Sequence, residues 1–209
     1  MTFSQSTAII IDNILKEMGY DRCLTIFNPN FSNFTEEELR LITKVTLENA
    51  SDISFLAFLP NLKKVKISNM DYREVFYGTY EDNFYSNSIT DFETIENLVN
   101  LEELEITNDV NLERINLANL KKLKRLILIN NPRLKEITGT FSLHNLVDVC
   151  LVGNHIMSFP NFEQFLRNTL DAKRCIIDID AYLWFLNELK KKSFPIDIVG
   201  LSESGKSYI

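Results

Sequence analysis

The chain has 209 residues, of which 45% are hydrophobic and 24% charged, and its formal net charge is −7. This composition is typical of a soluble protein with enough apolar side chains for one or two cores. The negative charge argues against a nucleic-acid partner, because phosphate binding needs a concentrated basic face, and no stretch approaches the roughly 18 consecutive apolar residues of a membrane span.

The first predicted element is a helix over residues 6–18. Apolar residues recur every four positions, as at Ile10 and Ile14, and Gly19 is a natural helix stop. Two adjacent apolar rows predict that one broad face is buried. We interpret residues 1–38 as a cap that covers the apolar end of the structure that follows.

A second, shorter helix is predicted over residues 36–42. Thr35 is positioned as its N-cap, and Glu38 occupies the N3 position of a capping box. This helix leads directly into a first strand, which is predicted at residues 44–48.

Over residues 39–159 the chain repeats one apolar template, L-x-x-L-x-L. The last apolar residues of its five copies are 20, 39, 22 and 23 residues apart. A period in the twenties around this template is the leucine-rich-repeat signature, and it predicts one short strand for each copy. The template positions are Ile42/Val45/Leu47 in the upstream copy, then Leu62/Val65/Ile67, Leu101/Leu104/Ile106, Leu123/Leu126/Leu128 and Leu146/Val149/Leu151.

A helical cap that runs into these copies resembles the internalin-type leucine-rich-repeat proteins of bacteria, over residues 35–159. The resemblance implies an α/β fold, namely a leucine-rich-repeat solenoid with a short parallel sheet on its inner face, helical or irregular segments on its outer face, and a helix-containing cap at each end. The asparagine that follows the strand in that family stands only at Asn131 and Asn154, so we expect an incomplete asparagine ladder. The residues at the other equivalent positions are Asp109, Met70 and Ala50.

The step of 39 residues contains an insertion at about residues 70–91, which adds about 17 residues to a normal repeat. Loops of this length are uncommon unless they are functional or disordered. Tyrosines supply rigid contact area at low entropic cost, so we predict that the insertion binds a partner. Two alternatives stay open: its rings pack on the flank of the solenoid, or residues 75–77 form the strand of a degenerate repeat. The predicted contact residues are Tyr77, Tyr80, Phe84 and Tyr85.

Beyond the last copy the template fades, and residues 160–209 are predicted to form a C-terminal cap and tail. Residues 175–179 are a short β-like run, which we interpret as a last strand of the sheet. Residues 181–192 have the apolar spacing of an amphipathic helix, with lysines at its end that suit the helix dipole. The chain is therefore divided into a cap at 1–38, a repeat array at 39–159 and this C-terminal region.

The residues between the apolar positions of each strand point out together, one short row per strand. Lys64 and Lys66 stand in one row, and Glu103 and Glu105 stand in the next. If the insertion loops out, these opposite charges meet on neighbouring strands and are expected to neutralise one another. The outward rows, which we predict to bind a partner, are Lys44/Thr46/Glu48, Lys64/Lys66/Ser68, Glu103/Glu105/Thr107, Arg125/Ile127/Ile129 and Asp148/Cys150/Val152.

Four of these outward residues form an apolar cluster on a face that should be exposed to solvent. Contiguous exposed apolar surface usually marks a contact site. The cluster predicts a partner contact or self-association into a homodimer. The alternative is that the insertion or the C-terminal region folds over it. Its members are Ile127, Ile129, Cys150 and Val152.

The tail matches the phosphate-binding pattern G-x-x-x-x-G-K-[ST] at Gly200, Gly205, Lys206 and Ser207. Such a loop wraps backbone N–H groups around phosphates at the start of a helix. Only two residues follow Ser207, and no downstream acidic strand is available to hold magnesium, so we interpret the match as coincidence. Nucleotide binding by these four residues is kept as an alternative function.

The few cysteines and histidines predict neither an enzyme nor a metal or cofactor site. Cys23, Cys150 and Cys175 are widely separated and lack C-x-x-C spacing, which fits a reducing compartment. His144 and His155 stand beside no apparent nucleophile. The first residues lack the basic region of a signal peptide, so we expect a cytoplasmic protein, with secretion as an effector as the alternative.

Together these patterns predict a non-enzymatic protein–protein interaction module. Its partner, another protein of unknown identity, is expected to bind the outward strand rows and the Tyr-rich insertion. The sequence implies neither a nucleic-acid nor a membrane partner. The alternatives are a nucleotide-binding protein and a self-associating structural module.

Overall fold

The computed structural model describes residues 1–23, 26, 28–50, 52–69, 89, 91–156, 159–160, 162–169, 172–177, 200–201 and 207–208. In these residues the protein is an α/β structure with few helices and a six-stranded sheet whose neighbouring strands all run parallel. The predicted α/β class is confirmed. The predicted helix at 181–192 lies outside the described residues.

The helices are α1 (Gln5–Glu17), α2 (Glu36–Leu41), α3 (Glu93–Glu96) and α4 (Phe162–Thr169), with short 3-10 helices at Ser54–Phe58 and Thr140–Ser142. The strands are β1 (Lys44–Glu48), β2 (Lys64–Ser68), β3 (Glu103–Thr107), β4 (Arg114–Asn116), β5 (Arg125–Ile129), β6 (Glu136–Thr138), β7 (Asp148–Val152), β8 (Arg174–Ile177), β9 (Gly200–Leu201) and β10 (Ser207–Tyr208).

Each copy of the apolar template forms one strand of the six-stranded sheet, in the order β1-β2-β3-β5-β7-β8. The strands pair in register, so that Leu47 faces Ile67 and Ile67 faces Ile106. The insertion therefore leaves β2 and β3 adjacent. Strand β8 begins at Arg174 and confirms the predicted last strand of the sheet, one residue earlier than expected.

A second, two-stranded parallel sheet joins β4 to β6. Its central residues, Ile115 and Ile137, are buried at 1% and 0% exposure and belong to the same core as the template leucines. We expected helical or irregular structure between the main strands, but two of these segments are extended. Their apolar residues point to the core at the period of two that a strand requires.

Helix α1 covers part of this core at its N-terminal end. Ile11 and Leu15 are fully buried among the strand residues, whereas Ile10 and Ile14 are only partly buried beside them. The Ser4 hydroxyl accepts a hydrogen bond from the backbone N–H of Thr7 at 3.2 Å and caps the helix. The predicted capping box of α2 is confirmed at both of its hydrogen bonds.

Turns at the carboxyl ends of the strands carry a left-handed residue at one recurring position. Asn49, Asn108 and Asn130 have φ values of 52°, 60° and 54°, and Gly153 has 71°. Asparagine and glycine are the residues that adopt this region most readily. A side chain at Gly153 would also collide with the Asn130 side-chain oxygen.

Turns at the amino ends of the strands are joined by a row of asparagine side chains. Asn61, Asn100 and Asn145 each precede a template leucine. Asn100 and Asn145 donate a side-chain hydrogen bond to a backbone carbonyl of the preceding turn, at 3.1 and 3.0 Å, and Asn61 donates to the Arg40 carbonyl of α2 at 2.8 Å. The same template position thus satisfies backbone groups that neighbouring turns leave unpaired.

A buried arginine, Arg22, joins the segments that precede β1. Its side chain is 4% exposed, and its guanidinium lies 3.2 Å from the Glu38 carboxylate and 3.9 Å from Asp12 on α1. It also donates to the carbonyl oxygens of Phe31 (2.8 Å) and Asn33. One cation therefore connects α1, the following loop and α2, which the sequence patterns did not indicate.

Replacing Arg22 with alanine is expected to lower the free energy of unfolding by about 3 kcal/mol, because removing one member of a buried ion pair leaves the other charge without compensation. Urea denaturation followed by circular dichroism measures this change. Arg40→Ala is the control, since the Arg40–Glu36 pair is 58% and 74% exposed and exposed pairs contribute little. Equal losses from the two substitutions would contradict a structural role for Arg22.

Candidate interaction surface

The outward residues of the six-stranded sheet form one continuous surface, which we call the strand face. Side chains alternate between the two sides of a strand, so the residues next to the buried Val45, Val65 and Leu104 all emerge on the opposite side. Its first row is Lys44, Lys64, Glu103, Arg125, Asp148 and Arg174; its second row is Thr46, Lys66, Glu105, Ile127, Cys150 and Ile176; its third row is Glu48, Ser68, Thr107, Ile129 and Val152.

The predicted pairing of opposite charges between β2 and β3 is confirmed. Lys64 Nζ lies 2.6 Å from a Glu103 carboxylate oxygen, and Lys66 Nζ lies 2.8 Å from one of Glu105. The two lysine side chains remain 49% and 48% exposed. Exposed pairs of this kind add little stability, but they hold the side chains in a defined array.

Asp148 on β7 is shared by arginines on both neighbouring strands. Arg174 contacts it with two nitrogens, at 2.6 and 2.9 Å, and Arg125 Nε lies 3.1 Å away. A two-point contact between guanidinium and carboxylate fixes the orientation of both groups. Asp148 therefore fixes the position of a cation on each side of it.

A further row lies one residue before the first row. It holds four charged side chains and was not among the predicted rows. Glu102 accepts from Lys124 at 2.6 Å and lies 3.4 Å from Lys63. The hydrogen bonds from these two lysines hold the pKa of the Glu102 carboxyl below its ordinary value. The template periodicity could have identified this row, because it occupies the same position before every strand: Thr43, Lys63, Glu102, Lys124, Val147 and Lys173.

The prediction that the apolar cluster is exposed is wrong for its two central residues. Ile127 and Cys150 are only 3% and 7% exposed, while Ile129 and Val152 are intermediate. Ile127 and Cys150 lie outside the main core, and the register adds Ile176 of β8 beside Cys150. Neighbours in the same row cover only the flanks of an outward side chain, so this near-complete burial supports the alternative that another part of the chain lies over the cluster.

The predicted aromatic contact residues, Tyr77, Tyr80, Phe84 and Tyr85, lie outside the described residues. The two described residues nearest to them in sequence are Asn69 and Ile89. Both bind Asp109: Asn69 donates its side-chain amide at 2.8 Å, and Ile89 donates its backbone N–H. One buried carboxylate thus connects Asn69, just before the insertion, to Ile89 near the end of the insertion.

Asp109 also continues the asparagine ladder, although we expected the ladder to stop there. Its backbone N–H donates to the Asn131 side-chain oxygen at 2.9 Å, and the Asn131 N–H donates to that of Asn154 at 3.1 Å. The Asp109 carboxylate accepts the backbone N–H groups of Asn111 and Leu112, each at 2.8 Å. These two bonds lie within Asp109's own turn. The carboxylate cannot donate to a strand carbonyl as the Asn131 and Asn154 amides do, so Asp109 joins the ladder through its backbone N–H and as an acceptor only.

The tail motif lies partly outside the described residues, at Gly205 and Lys206. Its described ends, Gly200 and Ser207, belong to the two short strands β9 and β10, which pair antiparallel. A phosphate-binding loop instead requires a helix that starts at the serine. This arrangement does not favour nucleotide binding.

Within the described part of the chain, no group of three or more His, Cys, Asp or Glu side chains is placed to hold a metal ion. No described helix has the length and apolar character needed to cross a membrane. A scan against protein-family models finds no match, and a comparison with curated proteins finds no significant relative.

The buried carboxyl of Asp109 predicts a pH-dependent stability. Burial raises its pKa, although the surrounding N–H donors oppose the shift. The folded chain therefore holds the proton more tightly than the unfolded chain, whose aspartate titrates near pH 4. As pH rises from about 4 through the raised pKa, the wild type should lose stability relative to Asp109→Asn, which cannot titrate.

Urea denaturation of both chains between pH 4 and pH 7 measures this difference. Asp52→Asn is the control, because Asp52 is exposed and likewise accepts a backbone N–H, that of Ser54 at 2.8 Å. A wild type that gains stability relative to Asp109→Asn with rising pH would show that the N–H donors outweigh burial.

Burial also predicts a slow reaction of the Cys150 thiol. Desolvation raises its pKa, and the thiolate is the reactive form, so Cys150 should react at least about tenfold more slowly than the exposed Cys23. A disulfide reagent applied to a Cys175→Ser chain separates the two rates, and denaturant should make them equal. Equal rates in the native protein would mean that Cys150 is exposed after all.

Proposed function

We propose that this chain is a leucine-rich-repeat solenoid of the internalin-like bacterial type, and that it acts as a non-enzymatic protein-interaction module. The partner would bind the strand face and the Tyr-rich insertion at 70–91. The in-register stacking of one strand per template copy supports this proposal most directly, because it turns isolated outward residues into continuous rows. Two rows of half-exposed, mutually oriented charges are the kind of polar surface that gives an interface its specificity.

Further support comes from the turns, since equivalent side chains connect successive turns at both ends of the strands. Asn131 and Asn154 do so at the carboxyl ends, and Asn100 and Asn145 do so at the amino ends. Repetition of one hydrogen-bonding pattern in each turn is expected when every unit packs on its neighbours alone. The short sheet of β4 and β6 is consistent with an outer face of such a solenoid.

A cytoplasmic location is part of the proposal. All three cysteines are free, which fits a reducing compartment. Secretion as an effector without a cleavable signal is the alternative.

Self-association through Ile129 and Val152 is the second candidate function, because both remain partly exposed at the carboxyl end of the strand face. The burial of Ile127 and Cys150 reduces the apolar area available to it. Nucleotide binding by the tail receives no support from any described contact.

The test is a pull-down from a native lysate with the wild type, a chain that lacks residues 71–88, and Ile129→Asp. Val99→Asp is the matched control, since Val99 is 55% exposed and belongs to none of the rows of the strand face. Sizing with light scattering gives the oligomeric state, and circular dichroism checks that each variant folds.

A partner that is lost with the deletion or with Ile129→Asp, but kept by Val99→Asp, is the expected result. A partner that all variants retain would contradict the proposed surface. If the wild type is a dimer, Ile129→Asp dissociates it and no other partner is captured, self-association would replace partner binding as the function.

A further inference from the structure

We propose that the amino-terminal margin of the strand face is a docking site for an acidic, extended segment of a partner protein. This inference rests on the proposed interaction function and specifies the partner's chemistry. The site, which we call the basic edge, consists of the first row and the row that precedes it. Its charged members are Lys44, Lys63, Lys64, Glu102, Glu103, Lys124, Arg125, Asp148, Lys173 and Arg174.

The basic edge has the opposite charge to the whole chain. It contains seven cations and three carboxylates, a net charge of +4, whereas the complete chain has a net charge of −7. The cations extend over β1, β2, β5 and β8 and so reach from one side of the sheet to the other. A local surplus of this sign attracts and orients an acidic partner.

The ion pairs within the basic edge leave this surplus in place. Glu102 is shared by Lys63 and Lys124, so one negative charge faces two positive ones. Asp148 is shared in the same way between arginines of β5 and β8.

The cations at the two sides of the sheet add to this surplus. Lys44 on β1 and Lys173 before β8 are exposed and make no ion pair with any described residue.

The cations are both accessible and held in position. The side chains of Lys63, Lys64 and Lys124 are 54%, 49% and 55% exposed, and those of Arg125 and Arg174 are 40% and 47% exposed. Their carboxylate partners restrict their rotamers before any ligand arrives, which lowers the entropic cost of binding. Each arginine also keeps guanidinium N–H groups that can bind a second carboxylate.

The dimensions of the basic edge suit a short extended peptide. Six strands spaced about 4.8 Å apart span about 24 Å, and an extended chain rises about 3.3 Å per residue. A segment of about seven or eight residues would therefore cross all six strands. Alternate side chains of such a segment lie about 6.6 Å apart on one side, so about four acidic residues of the segment would face the cations of the basic edge.

Carboxylates within the basic edge argue for an acidic protein segment over a nucleic acid. Phosphates spaced along a strand would meet Glu102, Glu103 and Asp148 as well as the cations, and neither row offers an aromatic side chain for base stacking. The negative charge of the whole chain would repel a long polyanion at low salt. A short peptide carries fewer charges, so both repulsions act on it more weakly.

The test measures fluorescence anisotropy of a labelled eight-residue peptide of alternating glutamate and serine, with an eight-nucleotide single-stranded DNA as the competing probe. The variant is Lys44→Glu with Lys173→Glu, which reverses the two cations that pair with no described residue and leaves the ion pairs described for the basic edge intact. Its matched control is Arg133→Glu with Lys135→Glu, which makes the same change in net charge beside β6.

We expect the peptide to bind the wild type and the control, to bind the Lys44/Lys173 variant at least about tenfold more weakly, and to lose affinity as salt increases. Equal affinities for the variant and the control would overturn the proposal, because general charge would then explain the binding. Tighter binding of the DNA would also overturn it and indicate a nucleic-acid site.

If the peptide does not bind at low salt but the wild type still captures a lysate partner that Ile129→Asp loses, only the acidic-segment proposal is overturned. If both the peptide and the lysate partner are absent, the interaction function fails as well. The two experiments therefore separate the two claims.

Discussion

Asn131, Asn154 and Asp109 form the hydrogen-bonded ladder on which the sheet depends. Parallel strands of five residues can lie side by side only if the chain turns back after each one, and a buried turn exposes backbone N–H groups to a core that cannot satisfy them. Asn131 is 0% exposed, accepts the N–H of Asp109 and donates to the carbonyl of Ile106. Because each ladder residue binds the turn before its own, the spacing of one strand to the next is held constant, and the leucines can interdigitate in register.

The strand face follows from this register. Once Leu104 faces Leu126 in the core, Glu103 must face Arg125 on the other side, and the same holds along every strand pair. Charges that are scattered in sequence therefore become rows in which one carboxylate is shared by two cations. Where the second row is apolar, at Ile127 and Cys150, its side chains are buried. The sheet thus combines a basic margin at the amino ends of its strands with a buried apolar patch on β5 and β7, and this contrast directs the proposed interaction to the margin.

Two buried charged groups connect the sheet to the segments that are not strands. Asp109 binds both Asn69 and Ile89 and so joins the start and the end of the insertion to the ladder. Arg22 joins α1 and α2 through Asp12 and Glu38. A buried charge without a partner is costly, so each group strongly favours the one arrangement in which its partners meet. These contacts add to the periodic hydrogen bonds that Asn69 and Arg40 make through their backbone groups.

The sequence by itself determined the features that follow from periodicity and from local hydrogen bonding. The apolar template located β1, β2, β3, β5 and β7, the Thr35–Glu38 capping box located α2, and the register of equivalent copies paired Lys64 with Glu103. These features depend on residues a few positions apart, or on one rule applied equally to every copy. Only the tertiary structure decided the burial of Ile127, the sharing of Glu102 and the contacts of Arg22 and Asp109. Each of these depends on which side chains from distant parts of the chain meet at one place, and no spacing within a single segment specifies that.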